Sequence, residues 1–406
     1  MLFSLKTLFY RFTISLIGMF AKFMSIPKPL TFAGTNSSLQ LCNHIFTMGH
    51  KKILIITDAA LNEIGLLDDT KDKLTSSGIE VSIFDGVEPN PTFDQVHAGV
   101  KLAKQNDCDA VIAFGGGSPI DSAKVISLAA ASDIEPEKLI GFGKAKKPPL
   151  PLYAIPTTAG TGSEVSAVAV ISEPASHKKS FVLDPKIVPK AAALDAGLML
   201  NIPAPIIAAT GMDALTHAIE SYISRSQTKE SAEYSIASIK LIFANLRDAV
   251  QDSSNIDAQQ AMASASNYAG LAFNLSGLGY VHGISHQFSA YYNTPHGLAN
   301  AIVLPHILEF SKEASETRLA ELAQASNLTD ATESITIQAQ KFIDSVRELS
   351  CQINIPTYLD TIQDADIPAI AEAALKESHF TSAVPIYMNQ DQCESIIRKI
   401  ASNPSE

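Results

Sequence analysis

Asp213, His217, His282, His286 and His296 are the residues of this chain best suited to chemistry. They sit in GMDALTHAIE (211–220) and YVHGISHQFSAYYNTPHG (280–297). Residues four apart share a helix face one turn apart, so Asp213 and His217 pair this way. His282 and His286 have the same spacing, and spacing alone does not decide which pair supplies ligands. Either residue of the first pair would be ordinary by itself: an acid near a helix start, or a histidine on a helix face. Clustering changes the reading, because His282, His286 and His296 are three of the chain's ten histidines within 15 residues. A carboxylate with several imidazoles is a donor set for a borderline divalent ion such as Fe²⁺ or Zn²⁺.

A second kind of chemistry is written upstream. Phe114-Gly115-Gly116-Gly117-Ser118-Pro119-Ile120-Asp121 reads as a strand end, a glycine turn and a helix start. Ser118 is the expected N-cap, Pro119 the first helical residue, and Asp121 completes an S-x-x-D capping pattern. Glycines let backbone approach a phosphate, and a helix N-terminus offers unpaired N–H groups with a positive dipole end. The stretch is not G-x-G-x-x-G, and a tight turn explains it without a ligand. Thr157-Thr158-Ala159-Gly160-Thr161-Gly162-Ser163-Glu164 is a second such loop, rich in hydroxyls. Two loops of this kind at strand ends of one sheet point to a nucleotide. Asp58 ends the strand-like IITD; an acid there accepts from ribose hydroxyls and repels a 2′-phosphate, favouring NAD over NADP. It is equally good as a helix N-cap.

The elements that must hold these groups follow from pattern. KILIIT (52–57), EVSIFDG (80–86), DAVIAFGGG (109–117) and PLYAIP (151–156) are strand-like runs alternating with helical stretches. This alternation predicts a doubly wound, mostly parallel α/β sheet. Beyond Asn201 the strand signal fades, and stretches such as 231–250, 256–274 and 335–354 have helical periodicity. The expected organisation is an apolar amphipathic helix in 1–28, a dinucleotide-binding α/β domain over 29–200, and an all-helical metal and substrate domain over 201–406.

The chain has 406 residues, enough for two cores, with 46% hydrophobic and 18% charged residues. Its formal charge of −12 argues against nucleic-acid binding. Four dispersed cysteines without C-x-x-C give neither a zinc ribbon nor a disulfide framework, and a reducing cytoplasm is expected. Residues 1–24 are apolar, with Lys6, Arg11 and Lys22 and no acid. Ser4, Thr7, Arg11, Ser15, Gly18 and Lys22 form one narrow polar stripe on a helix. That stripe fits a helix lying on a membrane surface, such as the inner face of a membrane; packing on the protein or on another subunit, and a cleaved signal, are the alternatives.

GGGSPID, PTTAGTGSE, GMDALTHAIE and HG(x)₂H(x)₉HG, in this order, resemble the iron-containing (group III) alcohol dehydrogenases over roughly residues 30–400. The resemblance implies Asp213, His217, His282 and His296 as ligands of Fe²⁺, with Zn²⁺ or another divalent ion as substitutes. It implies His286 as the non-ligand histidine assigned to proton transfer. Asp58, Asn90, Gly116, Gly117, Thr157, Thr158, Thr161 and Lys179 match positions contacting NAD, and Ser118 and Asp121 join them from the glycine turn. The implied activity is hydride transfer between a primary alcohol, or its aldehyde, and NAD(H), the metal acting as a Lewis acid on the substrate oxygen. A homodimer or higher homo-oligomer is expected. Rivals are glycerol dehydrogenase, maleylacetate reductase or a dehydroquinate synthase-like enzyme, and a non-catalytic membrane-attached nucleotide-binding protein. The chain departs from the family pattern at its N-terminal 24 residues, at Gln287 where relatives often have Pro, and at SAVPIYM (382–388).

Overall fold

The computed structural model describes residues 2–21, 26–173 and 178–402; Lys22 of the polar stripe lies outside them. The chain forms two compact units, Ser25–Asn201 and Met1–Met24 with Ile202–Glu406. Helix α1 (Leu2–Ala21) belongs to the second unit.

In the first unit, β1 (Leu30–Ala33), β2 (Lys52–Ile56), β3 (Glu80–Phe84), β4 (Ala110–Gly115), β6 (Leu152–Pro156) and β9 (Ala191–Leu194) form one sheet, ordered β1-β9-β6-β4-β2-β3. Every pairing in it is parallel. Helices α2 (Ser37–Thr47), α3 (Ala59–Glu63), α4 (Asp68–Ser76), α5 (Phe93–Gln105) and α6 (Gly117–Ser132) make the connections. Alternate side chains of a strand point to opposite faces. Hence Ile53 and Ile55 of β2 join one apolar cluster with Ile112 and Phe114, while Leu54 and Ile56 join another with Val111 and Ile126. Burial on both faces is why these strands read as continuous apolar runs. The α/β expectation is borne out. A small second sheet, β5 (Gly141–Phe142), β7 (Val168–Glu173) and β8 (Lys178–Leu183), ordered β5-β8-β7, contains the antiparallel pair β7–β8.

The second unit is helical, as the fading strand signal implied: α7 (Ala204–Ile223), α8 (Lys229–Gln251), α9 (Ile256–Ser276), α10 (Tyr280–Tyr292), α11 (His296–Ala325), α12 (Ile335–Gln352), α13 (Ile367–Thr381) and α14 (Gln390–Ala401). Helix α7 is buried continuously from Gly211 to Ile223 and packs on α8, α9 and α11. It is apolar nearly all round, as a central helix must be.

Candidate metal centre and nucleotide loops

Three helices build the cluster. Asp213 and His217 lie one turn apart on α7, His282 in the first turn of α10, and His296 is the first residue of α11. Between α10 and α11, Asn293 takes a left-handed conformation and Pro295 caps the next helix. This short turn brings His296 back beside His282, their ring centroids 5.3 Å apart. The Nε2 atoms of His217, His282 and His296 stand 3.8, 3.8 and 3.6 Å from Asp213 Oδ1. One ligand atom from each of the four residues fits within a 4.8 Å span.

The donor set fits a divalent ion. Ligands about 2.1 Å from one ion stand about 3.4 Å apart in a tetrahedron, close to the separations from Asp213. Asp213 is 2% exposed, and among the described residues its ion-pair partners are the three histidines alone. A buried carboxylate in that position calls for a cation. The amide Nδ2 of fully buried Asn300 lies 2.6 Å from Asp213 Oδ1 and 3.1 Å from Nε2 of both His282 and His296. Two amide hydrogens cannot satisfy three acceptors, and Asn300 Oδ1 is buried without a hydrogen-bond partner. Three acceptor atoms therefore converge on one amide nitrogen that carries two hydrogens.

A surrounding layer of residues orients the cluster. Glu220 on α7 accepts from the Gly279 and Val281 amides at 2.9 and 2.7 Å, capping α10, and from His282 Nδ1 at 2.7 Å. That bond puts the His282 proton on Nδ1 and leaves the Nε2 lone pair facing Asp213. His286 stands outside the four-donor group. Its ring stacks on His296 with centroids 5.2 Å apart, and its Nδ1 lies 2.6 Å from Glu377 Oε1 on α13. The two helices approach closely at Gly283, where a Cβ would fall 2.1 Å from Ser378 Oγ.

The sequence motifs do not single out Glu220, Asn300 or Glu377. Glu220 had a faint signal, an acid three residues after His217 in an otherwise apolar helix. Asn300 lies one turn after His296. Glu377 had none, being 91 residues from its partner.

The nucleotide loops adjoin one another. Strands β2 and β4 are parallel neighbours while β3 lies on the far side of β2, so the order in which strands are added reverses between β2 and β4, the topological switch point where α/β sheets bind ligands. The loops after β2 and β4 carry Asp58 and Gly115–Gly117 respectively. Thr157 N, just after β6, donates to Gly115 O at 3.0 Å, joining the threonine-rich loop to the glycine turn. An added Cβ at Gly117 would come 2.9 Å from Thr161 Cγ2, and at Gly116 3.3 Å from Thr158 Oγ1. Asn90 and Lys179 also meet, Lys179 Nζ donating to Asn90 Oδ1 at 3.3 Å.

Two expectations need correction. Helix α6 starts at Gly117 with Gly116 as N-cap and no side-chain cap, so Ser118 and Pro119 lie inside its first turn. A glycine cap is nearly as good as serine, and the local pattern could not separate them. Asp121 does not face outward from that turn. Its carboxylate accepts from the Ser163 hydroxyl and, at 2.9 Å, from the Val170 amide. Buried Lys124 pairs with it at 3.7 Å and donates to Ser163 Oγ, Ser166 Oγ and Val168 O. Burial pulls the Lys124 ammonium down to about 8 and pushes the Asp121 carboxyl up. This pair clamps the 163–170 segment to α6. Asp58 caps α3, its Oδ1 accepting from Leu61 N at 2.9 Å.

Residues 29–196 match the family model of the iron-containing alcohol dehydrogenases, and residues 207–401 match that of the C-terminal part of the Fe-containing alcohol dehydrogenase family. The chain is 37% identical over 374 residues to 1,3-propanediol dehydrogenase of Klebsiella pneumoniae, covering 91% of this chain and 96% of that protein. It is 37% identical over 351 residues to NAD-dependent methanol dehydrogenase of Bacillus methanolicus, covering 86% and 92%. The crystal structure of a 1,3-propanediol oxidoreductase superposes with a TM-score of 0.89 at 36% identity, covering 93% of this chain and all of that one. With two family models spanning both units and a four-donor cluster suited to a divalent ion, this chain belongs to the iron-containing alcohol dehydrogenase family, as an oxidoreductase of alcohols and aldehydes that uses iron and NAD.

Proposed function

We propose that this enzyme interconverts a small primary alcohol and its aldehyde, with Asp213, His217, His282 and His296 holding Fe²⁺ and His286 moving the proton. The observation that carries this reading is the convergence of four ligand atoms within 4.8 Å around a buried carboxylate. Relatives named for 1,3-propanediol and methanol support a small substrate. When bound, the metal supplies Lewis acidity at the substrate oxygen and NAD exchanges the hydride.

The remaining work falls to side chains. Asp213 brings the formal charge of the cluster with a divalent ion from +2 to +1. Glu220 holds His282 in one tautomer, and the Asn300 amide donates to Asp213 Oδ1. Glu377 accepts a hydrogen bond from His286 Nδ1–H, which puts the ring's lone pair on Nε2, the atom that would accept a proton and pass it on. Amides at the α6 N-terminus, among Gly116, Gly117 and Ser118, receive phosphate. Thr157, Thr158 and Thr161 offer hydroxyls, Asn90 and Lys179 a joined polar pair, and Asp58 a ribose acceptor. Asp121 acts through the clamp.

The proposal includes a cytoplasmic enzyme, in keeping with four free cysteines, three of them buried, and assembly as a homo-oligomer, which light scattering tests. Peripheral membrane contact through residues 1–24 rests on the exposed face of α1. The decisive experiment is turnover of Fe²⁺-loaded enzyme with NAD⁺ and a panel of primary alcohols. Chelation should abolish activity and Fe²⁺ restore it; full activity in demonstrably metal-free protein sinks the mechanism.

A further inference from the structure

Helix α1 has two working faces. On one, Tyr10 is seated in an aromatic pocket of its own unit. Its ring centroid lies 4.8 Å from His379, 5.1 Å from Phe380 edge-on and 5.8 Å from Tyr387 in a stack. Thr7, Tyr10 and Ile14, at helical spacing, are half-buried. His379 and Phe380 lie in the last turn of α13, and Tyr387 belongs to SAVPIYM (382–388). Tyr10 thus ties α1 to both segments.

The other face is open. At 100° per residue, Leu8 and Phe12 point away from Tyr10, with Phe9 beside them. They are 66%, 66% and 59% exposed. Three large apolar side chains on adjacent turns are a contiguous patch of the sort that marks an interaction surface. Exposed Lys6 and Arg11 flank it.

We propose that α1 docks this enzyme on an anionic membrane surface, lying in the plane of the interface with Leu8, Phe9 and Phe12 inserted and Arg11 and Lys6 at the headgroups. Charge selects the occupant. Residues 1–24 carry three cations and no acid in a chain of formal charge −12, so the basic segment is set apart from an acidic body. Anionic lipid complements that segment and draws it down before apolar insertion. A second copy meeting the same face about a two-fold axis would bring cationic margins together. Among the described residues no helix is long and apolar enough to cross a membrane, and in a spanning helix Lys6 and Arg11 would sit at hydrocarbon depth. Seating of Tyr10 leaves the opposite face as the one free to insert. This inference stands apart from the chemistry of the metal centre.

The test is co-sedimentation of the full-length, metal-loaded enzyme with phosphatidylglycerol–phosphatidylcholine vesicles and with phosphatidylcholine alone. Binding should be confined to the anionic vesicles, weaken at high salt, and fall about tenfold or more in a Leu8→Glu/Phe12→Glu variant and in a Lys6→Glu/Arg11→Glu variant. Turnover in solution should not change in either, which certifies their folding. Equal pelleting of wild type and Leu8→Glu/Phe12→Glu overturns the proposal. So does a wild type that ignores vesicles but self-associates in light scattering and becomes monomeric on that double substitution, which would make a second copy the occupant.

Discussion

Glu377 and His286 are 91 residues apart in sequence and 2.6 Å apart in space, carboxylate oxygen to Nδ1. The bond assigns the two ring nitrogens different work. Replacing His286 by Ala should leave metal content unchanged and lower kcat by about 10²- to 10⁴-fold, the usual range for a lost acid–base group. Glu377→Gln should lower kcat less, because the amide can still hold the ring. Metal analysis alongside steady-state kinetics reads both. Should His286→Ala lose its metal while His296→Ala keeps it, the ligands are assigned wrongly.

Glu220 should matter for affinity. Removing the carboxylate that orients a ligating histidine costs about 10- to 100-fold in metal binding. Glu220→Gln is therefore expected to weaken Fe²⁺ or Zn²⁺ binding by that factor in a chelator competition, and to lower stability by about 1–3 kcal/mol through the α10 amides it caps. Unchanged affinity would reduce Glu220 to a helix cap.

Asp58 caps α3 and, in the proposed function, also accepts from the ribose; one substitution separates the two roles. Asparagine caps as well as aspartate but carries no charge. Asp58→Asn should keep the thermal midpoint and narrow the preference for NAD over NADP, while Asp58→Ala should also lose about 1 kcal/mol of stability. A wild type that prefers NADP contradicts the ribose role.

His379 gives a pH signature. Burial lowers it from 6.5 to about 4, outweighing a hydrogen bond to the Met388 backbone that favours the charged form, and its Nε2 lies 2.9 Å from the Tyr280 hydroxyl. The unfolded chain takes up this proton below about 6.5, the folded chain only below about 4. Its stability contribution is thus complete above pH 6.5 and declines as pH falls toward 4, by about 1.4 kcal/mol per unit within that window. Denaturant unfolding of His379→Gln should show a shallower pH slope there than wild type. Parallel slopes would refute the assignment.

Much of this molecule was legible in one dimension. The α/β half follows from apolar runs alternating with helical stretches, because strands buried on both faces must be apolar throughout. The Asp213–His217 pair follows from helical geometry, since four residues make one turn. The glycine and threonine loops follow from where strands end. Tertiary structure decided the remainder. His282 could pair with His286 by spacing; the turn at Asn293–Pro295 and the Glu377 bond separate His286 from the four-donor group. Asp121 reads as part of a capping pattern, yet a buried lysine three residues on draws it into the clamp. The wide apolar surface of α1 could serve either packing or a membrane; the seat of Tyr10 on His379, Phe380 and Tyr387 assigns one face to the protein and leaves the face of Leu8 and Phe12 exposed. Periodicity records what a residue shares with its own helix. Which distant side chain completes a hydrogen bond or an aromatic stack depends on packing between helices, and no local spacing encodes it.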